Sequence, residues 1–129
     1  MINAEELHVG IVLWLDSEAL EAFGGQVCKP GVTNPSKVRP WVIVREVGPG
    51  EYWLLPLFGQ GSWSRIPFPM KGRTGHSKWL NNPNYYDPEM TWRAPAEAIT
   101  VAASCAGDTS KTWLRNEIDP RFLPDYYTP

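Results

Sequence analysis

Histidine and cysteine are scarce in this chain of 129 residues, and their scarcity excludes several kinds of chemistry. The two histidines, His8 and His76, are isolated, and Cys28 and Cys105 form no Cys-x-x-Cys pair. Metal sites use His and Cys ligands at short, regular spacings, so the sequence predicts no metal site and no cofactor. The cysteines are expected as free thiols, with a single disulfide as the alternative.

Long apolar runs are also absent. No segment reaches the roughly eighteen apolar residues of a membrane-spanning helix, and no basic stretch followed by a short apolar one marks a secretory signal. We therefore expect neither a membrane span nor a signal peptide. Gly59-Gln60-Gly61 is rich in glycine, but no Gly-Lys-Ser/Thr follows it, which excludes a P-loop.

Lysine and arginine are missing from residues 1–26, which carry five acids. Residues 27–93 carry nine bases against four acids, a net charge of +5 in a chain whose total is −2. The negative total argues against a general nucleic-acid binder, but the distribution allows a local basic face. Ordinary solvated surface charge is the alternative interpretation.

Proline, glycine and tryptophan are abundant, with thirteen, eleven and seven residues. So many turn residues indicate short elements rather than long helices. We expect one domain over residues 1–118 and an extended tail over 119–129. Each buried indole N–H needs a partner, so an aromatic surface for a partner or ligand is one interpretation of the seven tryptophans, and burial in the core is the alternative.

The strongest pattern is a hairpin of residues 41–47 and 52–58, joined by the turn at 48–51. A first strand over residues 7–16 is apolar on both faces, so it is expected to be covered on both sides. Weaker patterns predict four more strands, at residues 63–70, 77–80, 91–93 and 98–103. Short helices are expected over residues 18–23, capped by Asp16-Ser17, and 110–118, capped by Asp108 or Thr109. This order predicts a mainly β protein, a small SH3-like β-barrel with one or two short helices.

Arg39 lies at the entrance of the second strand of this pattern, directly after a long polar loop at residues 26–38. Proline cannot donate to a β-ladder, so Pro40 is expected at the first position of the strand. A guanidinium held there could meet a phosphate or a carboxylate. A surface ion pair is the alternative.

Three features together resemble the MazF/PemK toxin family over about residues 9–70. They are the strand Val-Gly-Ile-Val-Leu-Trp-Leu-Asp at 9–16, Arg39-Pro40 at the start of a hydrophobic strand, and Leu-Leu-Pro-Leu at 54–57 followed by Ile-Pro-Phe at 66–68. The resemblance implies an SH3-like barrel that forms a homodimer in the bacterial cytoplasm. It also implies a metal-independent endoribonuclease that cleaves single-stranded RNA and is masked by an antitoxin protein.

The resemblance assigns Arg39 to the developing negative charge on the phosphate. The family places a Thr or Ser after the third strand, whereas this chain has Phe58 there. Ser62 or Ser64 substitutes for it, or His76 supplies the acid or base, or the protein is a non-catalytic SH3-like module that binds a protein or nucleic-acid partner. The residues expected to contact RNA are Lys37, Arg65, Arg73, Lys78 and Trp63, the last by stacking on bases if it is exposed.

Overall fold

The computed structural model describes residues 2–108 and 115–129, which form nine β-strands and three α-helices. In chain order they are β1 (Ile11–Asp16), α1 (Ser17–Ala22), β2 (Gln26–Val27), β3 (Val38–Gly48), β4 (Glu51–Pro56), β5 (Ile66–Pro67), β6 (Arg73–Thr74), α2 (Ser77–Asn81), β7 (Tyr85–Tyr86), β8 (Trp92–Pro95), α3 (Ala96–Cys105) and β9 (Asn116–Ile118). Short 3-10 turns occupy Ala4–Glu6 and Pro120–Phe122.

Strands β3 and β4 form the predicted hairpin, with Val42 opposite Leu55 and Ile43 opposite Leu54. They are the centre of a seven-stranded antiparallel sheet of order β2-β8-β4-β3-β1-β9-β6. Strands β5 and β7 form a separate two-stranded ladder. The mainly β prediction is therefore confirmed. Within the described ranges no ladder joins the edge strands β2 and β6, so a closed barrel is not shown.

Helices α1 and α3 cover one face of the large sheet. Alternate residues of β1 and β3, including Leu13, Leu15 and Trp41, pack there against the Ala- and Ile-rich face of α3. Helix α1 begins at Ser17, one residue before the predicted start, and Asp16 caps it as predicted: its Oδ1 accepts hydrogen bonds from the N–H groups of Glu18 and Ala19. These two bonds satisfy two backbone donors that a helix start otherwise leaves without partners.

The opposite face of the sheet is covered by the segments after β4 and by the C-terminal tail. Val12, Val42 and Leu55 are buried there in one apolar cluster with the aromatic rings of Phe68, Trp79 and Tyr86. Strand β1 is thus buried on both faces, as its sequence predicts. Trp14 is the exception on this strand, with 48% of its surface exposed.

The tail is extended, and its aromatic residues attach it to the body of the protein. The Tyr86 hydroxyl donates to Asp125 O at 2.9 Å, and the Thr91 hydroxyl donates to Tyr127 O at 2.7 Å. The Tyr126 ring packs edge-on against Trp53, with centroids 6.4 Å apart. Residues 119–129 therefore complete the second core layer.

Three sequence expectations are wrong. Residues 98–103 lie in helix α3, since Ala98, Ile99, Ala102 and Ala103 are buried at the three- and four-residue spacing of a helix face. Residues 77–80 lie in helix α2, which buries Trp79 against the sheet. Residues 116–118 form β9 beside β1 instead of ending a helix. The first part of that expected helix, residues 109–114, lies outside the described residues.

Several element boundaries also differ from expectation, and two of these differences have a clear physical cause. Strand β1 starts at Ile11 because Gly10 turns the chain with φ +96°. Strand β3 starts at Val38, so Pro40 is its third residue, opposite Trp14 of β1. Proline lacks an N–H, but its carbonyl still accepts from the N–H of Leu57 at 2.8 Å. The ladder tolerates Pro40 near the strand end because only a donor is lost.

We predict that Gly10→Ala strongly destabilises the fold. A Cβ at Gly10 would lie 2.2 Å from the Ile118 carbonyl oxygen, and its positive φ disfavours other residues. Strain plus overlap should lower the free energy of unfolding by about 3 kcal/mol or more. The matched control is Gly31→Ala, where φ is +89° but no atom lies within 4 Å; we expect a loss of about 1 kcal/mol there. Equal losses in urea denaturation would contradict the close approach of β1 and β9.

Candidate functional site

Two guanidinium groups lie over the ring of Phe58 at the end of the central hairpin. The Cζ of Arg65 is 3.6 Å and the Cζ of Arg39 is 4.6 Å from the ring centroid. Only 3% of the Phe58 surface is exposed. Both distances are within the range of cation–π attraction, so the ring holds the two cations close to each other.

The backbone before β3 fixes the position of Arg39. Ser36 and Lys37 both have left-handed φ angles, +51° and +65°, a strained arrangement for two consecutive residues that are not glycine. The Arg39 Nε–H donates to Ser36 O at 3.1 Å, and Nη2 donates to Pro35 O at 3.2 Å. Asn34 stabilises this turn by accepting from the Ser36 N–H at 2.7 Å. The guanidinium is therefore placed before any ligand arrives, and some of its N–H groups have no acceptor among the described residues.

Arg65 is placed by a tight turn in the segment after β4. The N–H of Arg65 donates to Ser62 O at 3.2 Å, and the N–H of Ser62 donates to Arg65 O at 3.3 Å. Trp63 lies at the tip of this turn and is 98% exposed. An indole exposed to this degree, next to a cation, is a flat surface on which a nucleobase or another planar group can stack.

The Phe58 site, defined as Phe58 with Arg39 and Arg65, concentrates positive charge. Partial burial lowers the pKa of Arg39, and the nearby charge of Arg65 lowers this pKa further. In the part of the chain that the structure describes, neither arginine has a carboxylate within 4.0 Å. Two unneutralised cations beside one apolar ring form a site that an anion stabilises.

A cavity of about 480 Å³ is lined in part by Phe58. Its apolar wall consists of Val12, Trp14, Pro40, Leu57, Phe58 and Trp79. Its polar wall consists of His76, Lys78, Asn82, Asn84 and Asn116. A largely apolar cavity with a few polar groups is typical of a small-molecule or nucleobase site.

Most of the site residues predicted from the sequence lie either at the Phe58 site and its supporting turn or in the cavity. Arg39 and Arg65 meet at Phe58, and Ser62 and Trp63 belong to the turn that carries Arg65. His76 and Lys78 line the cavity, where Arg39 and Ser62 do not. Lys37 is exposed in the strained turn before Arg39. The Ser62 hydroxyl lies 3.3 Å from that of Ser64, and no histidine or carboxylate among the described residues hydrogen-bonds to it.

Arg73 is the predicted RNA contact that the structure places elsewhere. It is 7% exposed, and its guanidinium donates to the carbonyl oxygens of Pro69, Trp79, Asn82 and Phe68 and to the side chain of Asn84. Burial lowers its pKa to about 10, so it remains charged at neutral pH. With its donors directed at internal acceptors, Arg73 holds α2 and the adjoining loop in place and is not part of the site.

In the sequence, Phe58 is visible only as the absence of a hydroxyl, whereas in the structure its ring is a platform for two cations. The asparagines of the cavity were not predicted either. Their signal was present in Asn-Asn-Pro-Asn at residues 81–84, a polar cluster that follows the basic segment 71–78. Asn116 had no such signal, since only the pairing of β9 with β1 and β6 places it there.

Other sites find little support in the described ranges. No group of three or more His, Cys, Asp or Glu side chains is placed to hold a metal ion. Cys28 and Cys105 are both free, and burial raises the pKa of the Cys28 thiol. No helix among the described residues is long and apolar enough to cross a bilayer.

No protein-family model, curated protein or solved structure matches this chain. The assignment of function therefore depends on the geometry of the Phe58 site and the adjacent cavity.

We predict that Arg73→Lys destabilises the protein without changing the Phe58 site. A lysine ammonium cannot reach the same set of acceptors, so buried carbonyls lose their partners. The free energy of unfolding in urea should fall by about 2–4 kcal/mol. Arg121→Lys, at an exposed arginine paired with Asp119, is the control and should change it little. An unchanged stability for Arg73→Lys would show that the internal hydrogen bonds contribute little.

Proposed function

We propose that this protein binds single-stranded RNA, with a backbone phosphate at the Phe58 site. The observation that carries the proposal is that Arg39 and Arg65 lie over one ring with no carboxylate partner among the described residues. A phosphate accepts hydrogen bonds from both guanidinium groups and removes their mutual repulsion. No equivalent gain is available from an uncharged ligand.

Trp63 makes a single strand the better ligand than a duplex. Its indole is almost fully exposed two residues before Arg65, so an unstacked base can lie on it while the adjoining phosphate contacts the arginine. Bases inside a duplex are stacked on each other and cannot reach such a surface. Backbone phosphate contacts with aromatic stacking are the usual means of binding single strands.

Binding without cleavage is favoured by Phe58 itself. Cleavage through the ribose 2′-hydroxyl needs a group that moves a proton beside the reacting phosphate. The phenyl ring cannot do so, and it occupies the space under both guanidinium groups. The predicted alternatives are the Ser62 hydroxyl, whose hydrogen-bond partner among the described residues is Ser64, and His76, which lines the cavity.

A second candidate is the ribonuclease activity of a MazF/PemK-like toxin. It is favoured by one observation, that the Ser62 carbonyl and N–H fix the same turn that carries Arg65, so a Ser62 hydroxyl is near the phosphate site. This candidate also implies that the protein is an SH3-like barrel, that it forms a homodimer in the cytoplasm and that an antitoxin binds it. It requires that RNA is cut, which distinguishes it from the first candidate.

The test is RNA affinity measured by fluorescence anisotropy over a series of salt concentrations. Arg39→Gln and Arg65→Gln should each weaken the binding of a labelled single-stranded RNA and reduce the salt-dependence slope by about 1, the effect of losing one phosphate contact. Arg45→Gln is the matched control, because Arg45 also lies over an aromatic ring, Trp53, at 5.5 Å, but outside the Phe58 site. It should leave the slope nearly unchanged.

Gel analysis of the same RNA after incubation separates the two candidates. Intact RNA with Arg-dependent affinity supports the binding module. Cleavage that Ser62→Ala abolishes supports the ribonuclease instead. Affinity that is equal in all three arginine variants would show that the Phe58 site does not bind phosphate.

A further inference from the structure

The orientation of two amide side chains in the cavity is fixed by groups that can only donate. Arg73 Nη1 donates to Asn84 Oδ1 at 3.0 Å, and the backbone N–H of His76 donates to Asn116 Oδ1 at 2.8 Å. A guanidinium and an amide N–H have no acceptor to offer, so the facing atom of each asparagine must be its oxygen. The amino groups Nδ2 are left, and no described residue accepts from either of them.

Asn82 is the third amide in the wall of the cavity, and it differs from the other two. Its backbone groups are engaged, but its side chain has no hydrogen-bond partner among the described residues. It can therefore turn either its oxygen or its nitrogen toward a ligand. The cavity thus offers two fixed donors and one amide that can serve as an acceptor.

We infer that this cavity binds a uracil ring, an inference that rests on the proposed RNA binding. The edge of uracil presents O4 as an acceptor, N3–H as a donor and O2 as an acceptor. Two fixed amino donors and one adjustable amide oxygen complement that set. Adenine presents a single acceptor, N1, on this edge, so it cannot engage both Nδ2 groups. Cytosine presents its two acceptors, N3 and O2, side by side, whereas uracil has one at each end of the edge. Two donors carried by separate parts of the chain, the loop before β7 and strand β9, suit the uracil arrangement.

The rest of the cavity suits a base that has left its stack. Trp14 is half exposed and belongs to the apolar wall, so its indole can cover one face of the ring. Lys78 supplies a positive charge at the same cavity for a flanking phosphate. Phe58 contributes both to the cavity wall and to the Phe58 site, so a strand with its phosphate at Arg39 and Arg65 has its neighbouring base close to the cavity.

The test compares the affinities of the protein for labelled oligo(U), oligo(A) and oligo(C) of about ten nucleotides each. This length is within the site size of single-strand-binding folds. The unaltered protein should bind oligo(U) about tenfold more tightly than the other two. Asn84→Asp and Asn116→Asp keep the oxygen that Arg73 or the His76 N–H needs but replace the donor with an acceptor. Each should remove most of this preference.

Asn81→Asp is the matched control, because it adds the same charge on helix α2 at a side chain that is exposed and outside the cavity wall. It should keep the preference for oligo(U). Thermal unfolding of each variant verifies that it is folded. A loss of preference in the control equal to that in Asn116→Asp would attribute the effect to charge alone and overturn the inference.

Free UMP and AMP distinguish a pocket for a free nucleotide from a pocket for a base within a strand. Each nucleotide is added to the protein, with binding followed by tryptophan fluorescence, and to the complex with labelled oligo(U), with displacement of the oligonucleotide as the readout. Displacement of oligo(U) by UMP but not AMP indicates a pocket for a free nucleotide, and preference for oligo(U) without displacement indicates a pocket for a base within a strand. Equal affinity for the three oligonucleotides would overturn the uracil pocket and leave RNA binding in place. If no oligonucleotide binds, the proposed function fails, and absence of UMP binding as well would overturn the pocket.

Discussion

Burial of the β3–β4 hairpin on both faces is the constraint on which the rest of the structure depends. Val42 and Leu54 are completely buried, although their side chains belong to opposite faces of the sheet. One face needs α1 and α3 as a cover, and the other needs the segment after β4 and the tail. The apolar area removed from water by two such layers is the main favourable term in folding a domain of this size. The short helices and edge strands gain their stability from this packing and not from their own propensity.

The same hairpin creates the Phe58 site at its open end. The hydrogen bond from the Leu57 N–H to Pro40 O keeps β4 beside β3 one residue past its last ladder pair. Phe58 and Arg39 therefore lie next to each other at this end of the hairpin. The strained turn at Ser36 and Lys37 then directs the arginine onto the ring. Repulsion between the two guanidinium groups at one ring destabilises the protein when no ligand is bound. Local destabilisation of this kind is typical of functional sites that a ligand completes.

The parts of the fold that could be predicted from sequence have strong local signals. Two apolar runs joined by a Gly-Pro-Gly turn indicate the hairpin, and the carboxylate of Asp16 marks the start of α1. Residues 98–103 were misassigned because Ile99, Thr100 and Val101 favour strands locally, whereas burial at helical spacing favours a helix. In the site, Arg39 could be found from its position at the start of a strand, after a long polar loop. The role of Phe58 could not, since it depends on an arginine seven residues further along the chain returning to its ring.

The most direct test of this account is an NMR titration of the arginine side chains with the dinucleotide UpU. The Nε–H resonances of Arg39 and Arg65 report separately on the two guanidinium groups that share Phe58. The account predicts that both shift together, with one binding constant, while the resonance of Arg45 stays in place. Shifts spread equally over the exposed arginines, or none at Arg39 and Arg65, would contradict a specific phosphate site.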